Sequence, residues 1–121
     1  MDFASTLNPA DAPTAKVVQH LRLMLTEADV ATATKVDPRT VRRWMSGEVE
    51  PHARNAELLD DLRAITELLE TLLNAEGVKR WLRRRSVHLD DDRPIERLRD
   101  GDFSAVRKAA MSYLQGGSVA P

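Results

Sequence analysis

Nothing in this sequence limits the fold more than the stretch Thr26–Gly47, TEADVATATKVDPRTVRRWMSG, which predicts a helix, a tight turn and a second helix ending at a glycine. Thr26 is placed to cap the first helix, because its hydroxyl can accept an orphan first-turn N–H. Glu27 and Asp29 put negative charge where the helix dipole favours it. Val30 and Ala31 offer a small apolar packing face, and Val36 marks the turn. Asp37-Pro38 then opens the second helix with a capping carboxylate and a proline at its first position. Val41, Trp44 and Met45 share one face of that helix. Arg39, Arg42, Arg43 and Ser46, spaced i, i+3, i+4 and i+7, share another. One face suits a core and the other a polyanion.

This is the arrangement of a DNA-binding helix-turn-helix, whose second helix enters the major groove with its N-terminal residues against base edges. Arg39, Arg42 and Arg43 are the expected operator contacts, with Thr40 and Lys35 as auxiliaries. Lys35 stands at a turn position often given to glycine, where a left-handed backbone costs about 1 kcal/mol. The same pattern also fits a solvated arginine face on a small helical bundle.

At 121 residues the chain is one domain, or a small domain with an appended half, and its own core is modest. Without cysteine it has neither disulfides nor thiolate metal sites. A net charge of −1 does not announce a nucleic-acid binder, but local clusters matter more than the total. No signal-like N-terminus or bilayer-length apolar run occurs, so a soluble cytoplasmic protein with no membrane partner is expected.

Residues 1–14 are small, polar and proline-bearing and are expected to be mobile. Residues 15–52 form the expected helix-turn-helix domain, with an amphipathic helix over Ala15–Leu25 bracing it through Val17, Val18, Leu21, Met24 and Leu25. His20, His52 and His88 have no metal-ligand spacing. Residues 53–74 are the expected long connecting helix. Leu58, Leu62, Ile65, Leu69 and Leu72 run down it at 4-3-4-3 spacing. That stripe reads as core covered by the chain's own ends, as the seam of a homodimer, which would supply the two-fold symmetry used on paired half-sites, or as both together.

Residues 75–121 change character. Val78, Trp81 and Leu82 form a packing face in a helix over Ala75–Arg85, surrounded by Lys79, Arg80, Arg83 and Arg84. The loop Asp90-Asp91-Asp92 lacks the spaced ligand set a divalent cation needs. Pro94 opens a short turn carrying Ile95 and Leu98, Asp100-Gly101 breaks it, and Asp102 caps a last helix with Phe103, Val106, Ala110, Tyr113 and Leu114 on one face. Gly116-Gly117 ends that helix and leaves SVAP as a tail.

In the order helix-turn-helix, long leucine-rich helix, Val78-Lys79-Arg80-Trp81-Leu82, then Arg93-Pro94-Ile95, Leu98, Gly101, Phe103 and Val106, the chain resembles the Xre/MbcA/ParS antitoxins. The resemblance covers nearly everything after residue 14. It departs from the family at a glycine common shortly before the Arg-Pro pair, replaced here by aspartates, and in its short apolar tail. The resemblance implies an all-α fold: an N-terminal helix-turn-helix bundle, a long connecting helix and a small helical C-terminal toxin-binding domain. It implies an antitoxin of a type II toxin–antitoxin module that inhibits a RES-domain, NAD-degrading toxin and represses its own operon. Toxin contacts are then expected at Arg83, Arg84, Arg85, Tyr113, Gly116, Gly117, Ser118 and Val119, with no cofactor. Trp81 and Leu82 are expected to pack the domain instead. No nucleophile–base pair, phosphate-cradling glycine loop or placed carboxylate pair occurs, so catalysis is not expected. The alternative is a plain helix-turn-helix regulator or excisionase-like DNA binder whose C-terminal half only dimerises.

Overall fold

The computed structural model describes residues 8–116, and among them the chain is all-α. In chain order the helices are α1 (Pro13–Leu21), α2 (Glu27–Thr34), α3 (Pro38–Met45), α4 (Ala53–Glu70), α5 (Ala75–Arg83), α6 (Pro94–Arg99) and α7 (Phe103–Leu114). Short 3-10 turns at Pro9–Asp11 and Val87–Leu89 complete the path. None of the described helices is long and apolar enough to cross a membrane.

The local chemistry of the helix-turn-helix is as the sequence predicts. Thr26 Oγ1 accepts the Asp29 N–H and the Asp29 carboxylate accepts the Thr26 N–H, a reciprocal cap on α2. Lys35 ends α2 in the left-handed region (φ 63°, ψ 42°), and the Val36 N–H closes back on the Ala31 carbonyl at 3.0 Å. Asp37 then caps α3 by accepting the Arg39 N–H at 2.8 Å. Asp102 caps α7 in the same manner.

Three segments differ from expectation. Residues 8–14 are ordered into the fold: Asn8 caps the first 3-10 turn, the Gln19 amide donates to both the Ala10 and Met45 carbonyls, and α1 starts at Pro13. Gly47 explains how closely this turn sits, since a Cβ there (φ +78°) would lie 2.0 Å from the Pro9 carbonyl oxygen. Next, α1 stops at Leu21, not Leu25. Met24 and Leu25 still reach the core from the following turn, with their N–H groups bonded to the Leu21 carbonyl. Finally, α5 stops at Arg83, so Arg84 and Arg85 lie outside the helix, Arg84 with an extended backbone.

One buried cluster runs from Val18 and Val30 through Trp44, Leu62, Ile65 and Leu69 to Leu82, Leu98, Val106 and Ala110. The long helix α4 is its axis, packed by α2, α1, α5 and α7. This corrects the dimer-seam expectation for Leu58, Leu62, Ile65 and Leu69: all four are buried by their own chain. The physical reason is that both halves of a small protein need the same stripe, which leaves none of it to a second copy. Leu72 departs from its companions and is 62% exposed, because α4 has already ended at Glu70.

Candidate nucleic-acid and partner surfaces

The exposed side of α3 carries the predicted DNA contacts together. Arg39 is exposed at the start of the helix, with no carboxylate within ion-pair distance among the described residues. Lys35 is exposed one turn earlier, and Thr40 is half-buried beside Arg39. Arg42 donates to Glu27 of α2 at 2.8 Å, and Arg43 donates to Glu48 at 2.7 Å. Both are surface pairs and add little to the stability of the fold. Behind that face Val41 and Trp44 are buried, so the helix is anchored by one side and solvated on the other. Asn55 of α4 donates to the Thr34 carbonyl at 2.8 Å and secures the turn from behind.

The residues expected to meet a toxin are divided by the structure. Arg83 is not a free surface arginine. Its guanidinium donates to Asp29 Oδ2 at 2.8 Å and to the Met24 carbonyl at 3.3 Å, which corrects its expected role as an exposed contact. The cause is tertiary: α5 ends against the start of α2, where Arg83 shares a buried carboxylate with Arg99. Arg84 and Arg85 are exposed, with Arg85 donating to the Asp91 carbonyl. Tyr113 is half-buried, its ring 6.1 Å from that of Trp81 in a tilted pair, so part of it belongs to the domain's own packing. Gly116 is exposed with φ +87° and stops α7. Gly117, Ser118 and Val119 lie outside the described residues.

Asp29 is the functional-looking residue that sequence reasoning placed only as a first-turn carboxylate. Its side chain is 2% exposed, and besides capping Thr26 it receives Arg83 and, at 2.7 Å, Arg99 from the end of α6. Burial by itself pushes the Asp29 carboxyl up; the Arg99 guanidinium and the Thr26 bonds outweigh it, so the carboxyl sits below its ordinary value. No spacing in the sequence joins positions 29, 83 and 99. A second cluster gathers the acidic loop: Arg97 holds Asp92 at 2.8 Å and Asp102 at 3.2 Å, and donates to the Leu89 carbonyl. Asp90 and Asp91 take left-handed backbone there (φ 52° and 69°), which aspartate tolerates better than most residues.

No family model matches the chain. A probable mycobacterial cidal antitoxin of Mycobacterium tuberculosis, Rv3188, is 35% identical over 95 residues, spanning 78% of this chain and 81% of that protein. The chain belongs to the mycobacterial cidal antitoxin family. The antitoxins named MbcA of Mycobacterium bovis and Mycobacterium tuberculosis are 29% identical to it over a stretch of the same length, 84% of theirs. The fold agrees with the crystal structure of the M. tuberculosis MbcT–MbcA toxin–antitoxin complex at a TM-score of 0.69 and 27% identity, over 84% of this antitoxin and 94% of that chain. The all-α architecture and the antitoxin assignment therefore stand together.

Proposed function

We propose that this antitoxin binds and inhibits a RES-domain toxin that degrades NAD, and that it binds operator DNA through α3 as an autorepressor. The observation that carries the first part is the solved relative: a chain of nearly the same extent and fold is described in complex with its toxin. The surface on this chain is the end of α7, at Tyr113 and Gly116, continued by residues 117–121. Obstruction of the toxin's substrate pocket by that short apolar segment is the mechanism. Support for the second part is the anchored, arginine-bearing α3 after a left-handed turn, with Arg39 free to meet a base edge or phosphate. A homodimer on paired half-sites completes the proposal. Its contact must lie outside the buried stripe, and the exposed Leu23 and Leu72, close in sequence to the two ends of the His20–Glu70 hydrogen bond, are its side chains.

Co-expression tests the toxin part. Cells carrying the product of the adjacent reading frame should grow and keep their NAD with the intact antitoxin, and should lose both when residues 117–121 are deleted. Protection by the truncated form equal to that of the full chain would remove the tail from the mechanism. Absence of binding and protection by the intact chain would leave a helix-turn-helix regulator that acts without a toxin.

A further inference from the structure

Lys79–Arg85 places five cations in seven residues with no carboxylate among them, in a chain whose net charge is −1. Several arginines elsewhere are paired with acidic neighbours, as Arg42 is with Glu27, Arg43 with Glu48 and Arg63 with Asp60. Lys79, Arg80 and Arg84 are exposed, and among the described residues none has a carboxylate within ion-pair distance, Glu76 of the same depression included. They line, with Glu76 and Arg83, an open depression of about 440 Å³ on α5. Concentrating unneutralised charge of one sign on a helix face works against folding, so an opposite charge outside the chain is what this face fits.

Its position says which polyanion. The first turn of α2 is gripped by Arg42 of the recognition helix at Glu27 and by Arg83 of α5 at Asp29, two residues further on. Arg99 adds its guanidinium to the same Asp29, so two arginines, each partly exposed, share one carboxylate charge. Arginines of α3, α5 and α6 thus converge on the first turn of α2, which joins the α3 side of the molecule to the basic end of α5.

We propose that Lys79, Arg80 and Arg84 form a second contact for the phosphate backbone of duplex DNA, beyond the segment that α3 enters. The proposal rests on the DNA-binding reading of α3 and deepens it. Phosphate contacts position a protein on the duplex without reading sequence, so this surface sets affinity and register while α3 sets the site.

The test is the triple variant Lys79→Gln, Arg80→Gln, Arg84→Gln, alongside Arg39→Ala and the wild-type chain. Binding is titrated across a salt series on two labelled duplexes, one of mixed sequence and one from the promoter upstream of the protein's own reading frame. Capture by the purified product of the adjacent frame is measured in parallel. All three positions are exposed, so far-ultraviolet circular dichroism should be unchanged. The triple variant is expected to bind both duplexes more weakly by a similar factor, roughly tenfold to a hundredfold, with the slope of log K against log salt shallower by about 2–3. Its preference for the promoter duplex should be kept, and toxin capture should be kept by the double variant Lys79→Gln, Arg80→Gln, which leaves the expected toxin contact Arg84 in place. Arg39→Ala should lose that preference instead, which reports on the α3 reading separately. Unchanged DNA binding by the triple variant overturns the proposal, as a solvated face if toxin capture is also unchanged and as an acidic-protein surface if capture is lost. Loss of both ligands by the folded double variant overturns the assignment to DNA alone. If the wild-type chain binds neither duplex, the α3 reading fails, and the α5 contact fails with it.

Discussion

Replacing Asp29 by Asn isolates the ionic clamp that joins the helix-turn-helix to the C-terminal helices. The amide keeps the shape of the side chain and one oxygen for the Thr26 N–H, so the cap survives in part. It removes the charge that Arg83 and Arg99 share, and turns an NH₂ group toward one of them. Breaking a buried ion pair costs about 3–5 kcal/mol when the orphaned charge stays buried. Here the arginine side chains are 33% and 48% exposed and can rehydrate, which brings the expected loss to roughly 2–4 kcal/mol. For a chain of this size each kcal/mol moves the midpoint by about 3–6 °C, so thermal unfolding should fall by roughly 6–24 °C. The effect also has a pH signature. Asp29 is depressed in the folded state, so its contribution is present above the unfolded carboxylate value near pH 4 and is lost as pH falls through the lower folded value. Wild-type and variant stabilities, measured by urea unfolding from pH 7 down to the acid limit of folding, should therefore converge in acid. A loss under about 1 kcal/mol at neutral pH, or one of constant size through the acid range, would refute the clamp.

Leu62→Glu with Leu69→Glu should abolish folding, because both side chains are fully buried and each change strands a charge in the core; a helical, monomeric product by circular dichroism and light scattering would restore the dimer seam. Lys35→Gly should stabilise the chain by up to about 1 kcal/mol, since glycine adopts the left-handed turn without strain. Its chemical-denaturation midpoint should rise, and a lower one would mean that the lysine side chain packs. Gly47→Ala should cost about 1–3 kcal/mol through the positive φ and the collision with Pro9, seen as a lower thermal midpoint. If the N-terminal turn merely swings away, deleting residues 1–11 will leave the penalty unchanged. Leu23→Glu with Leu72→Glu should leave folding intact, as both side chains are already exposed, and shift sedimentation to the monomer if the protein self-associates there.

Much of the local structure was legible because it depends on neighbours in the chain. The Thr26 and Asp37 caps, the turn at Lys35, the glycine stop after α3 and the Asp102 cap all follow from side chains meeting backbone within a few residues. Apolar periodicity likewise located the helices, and the run from Val78 to Val106 located the family. The errors arose where a partner lay far along the sequence. Periodicity marked Leu58, Leu62, Ile65 and Leu69 as buried, but the same stripe serves a core or a seam, and only the presence of α2 and α7 against it decides. The basic run around Arg83 carries no sign of its partner. A carboxylate 54 positions earlier drew Arg83 inward.

What the sequence determined by itself was the set of helices, their caps and the charged outer face of α3, because helix geometry turns local spacing directly into shared faces. Tertiary structure alone decided how those faces are used. It folded both halves onto α4 as one core, brought positions 29, 83 and 99 to a single buried carboxylate, and set the basic end of α5 beside the start of α2. The reason is physical: a buried charge or an apolar stripe requires a partner, and nothing in local spacing names which distant residue supplies it.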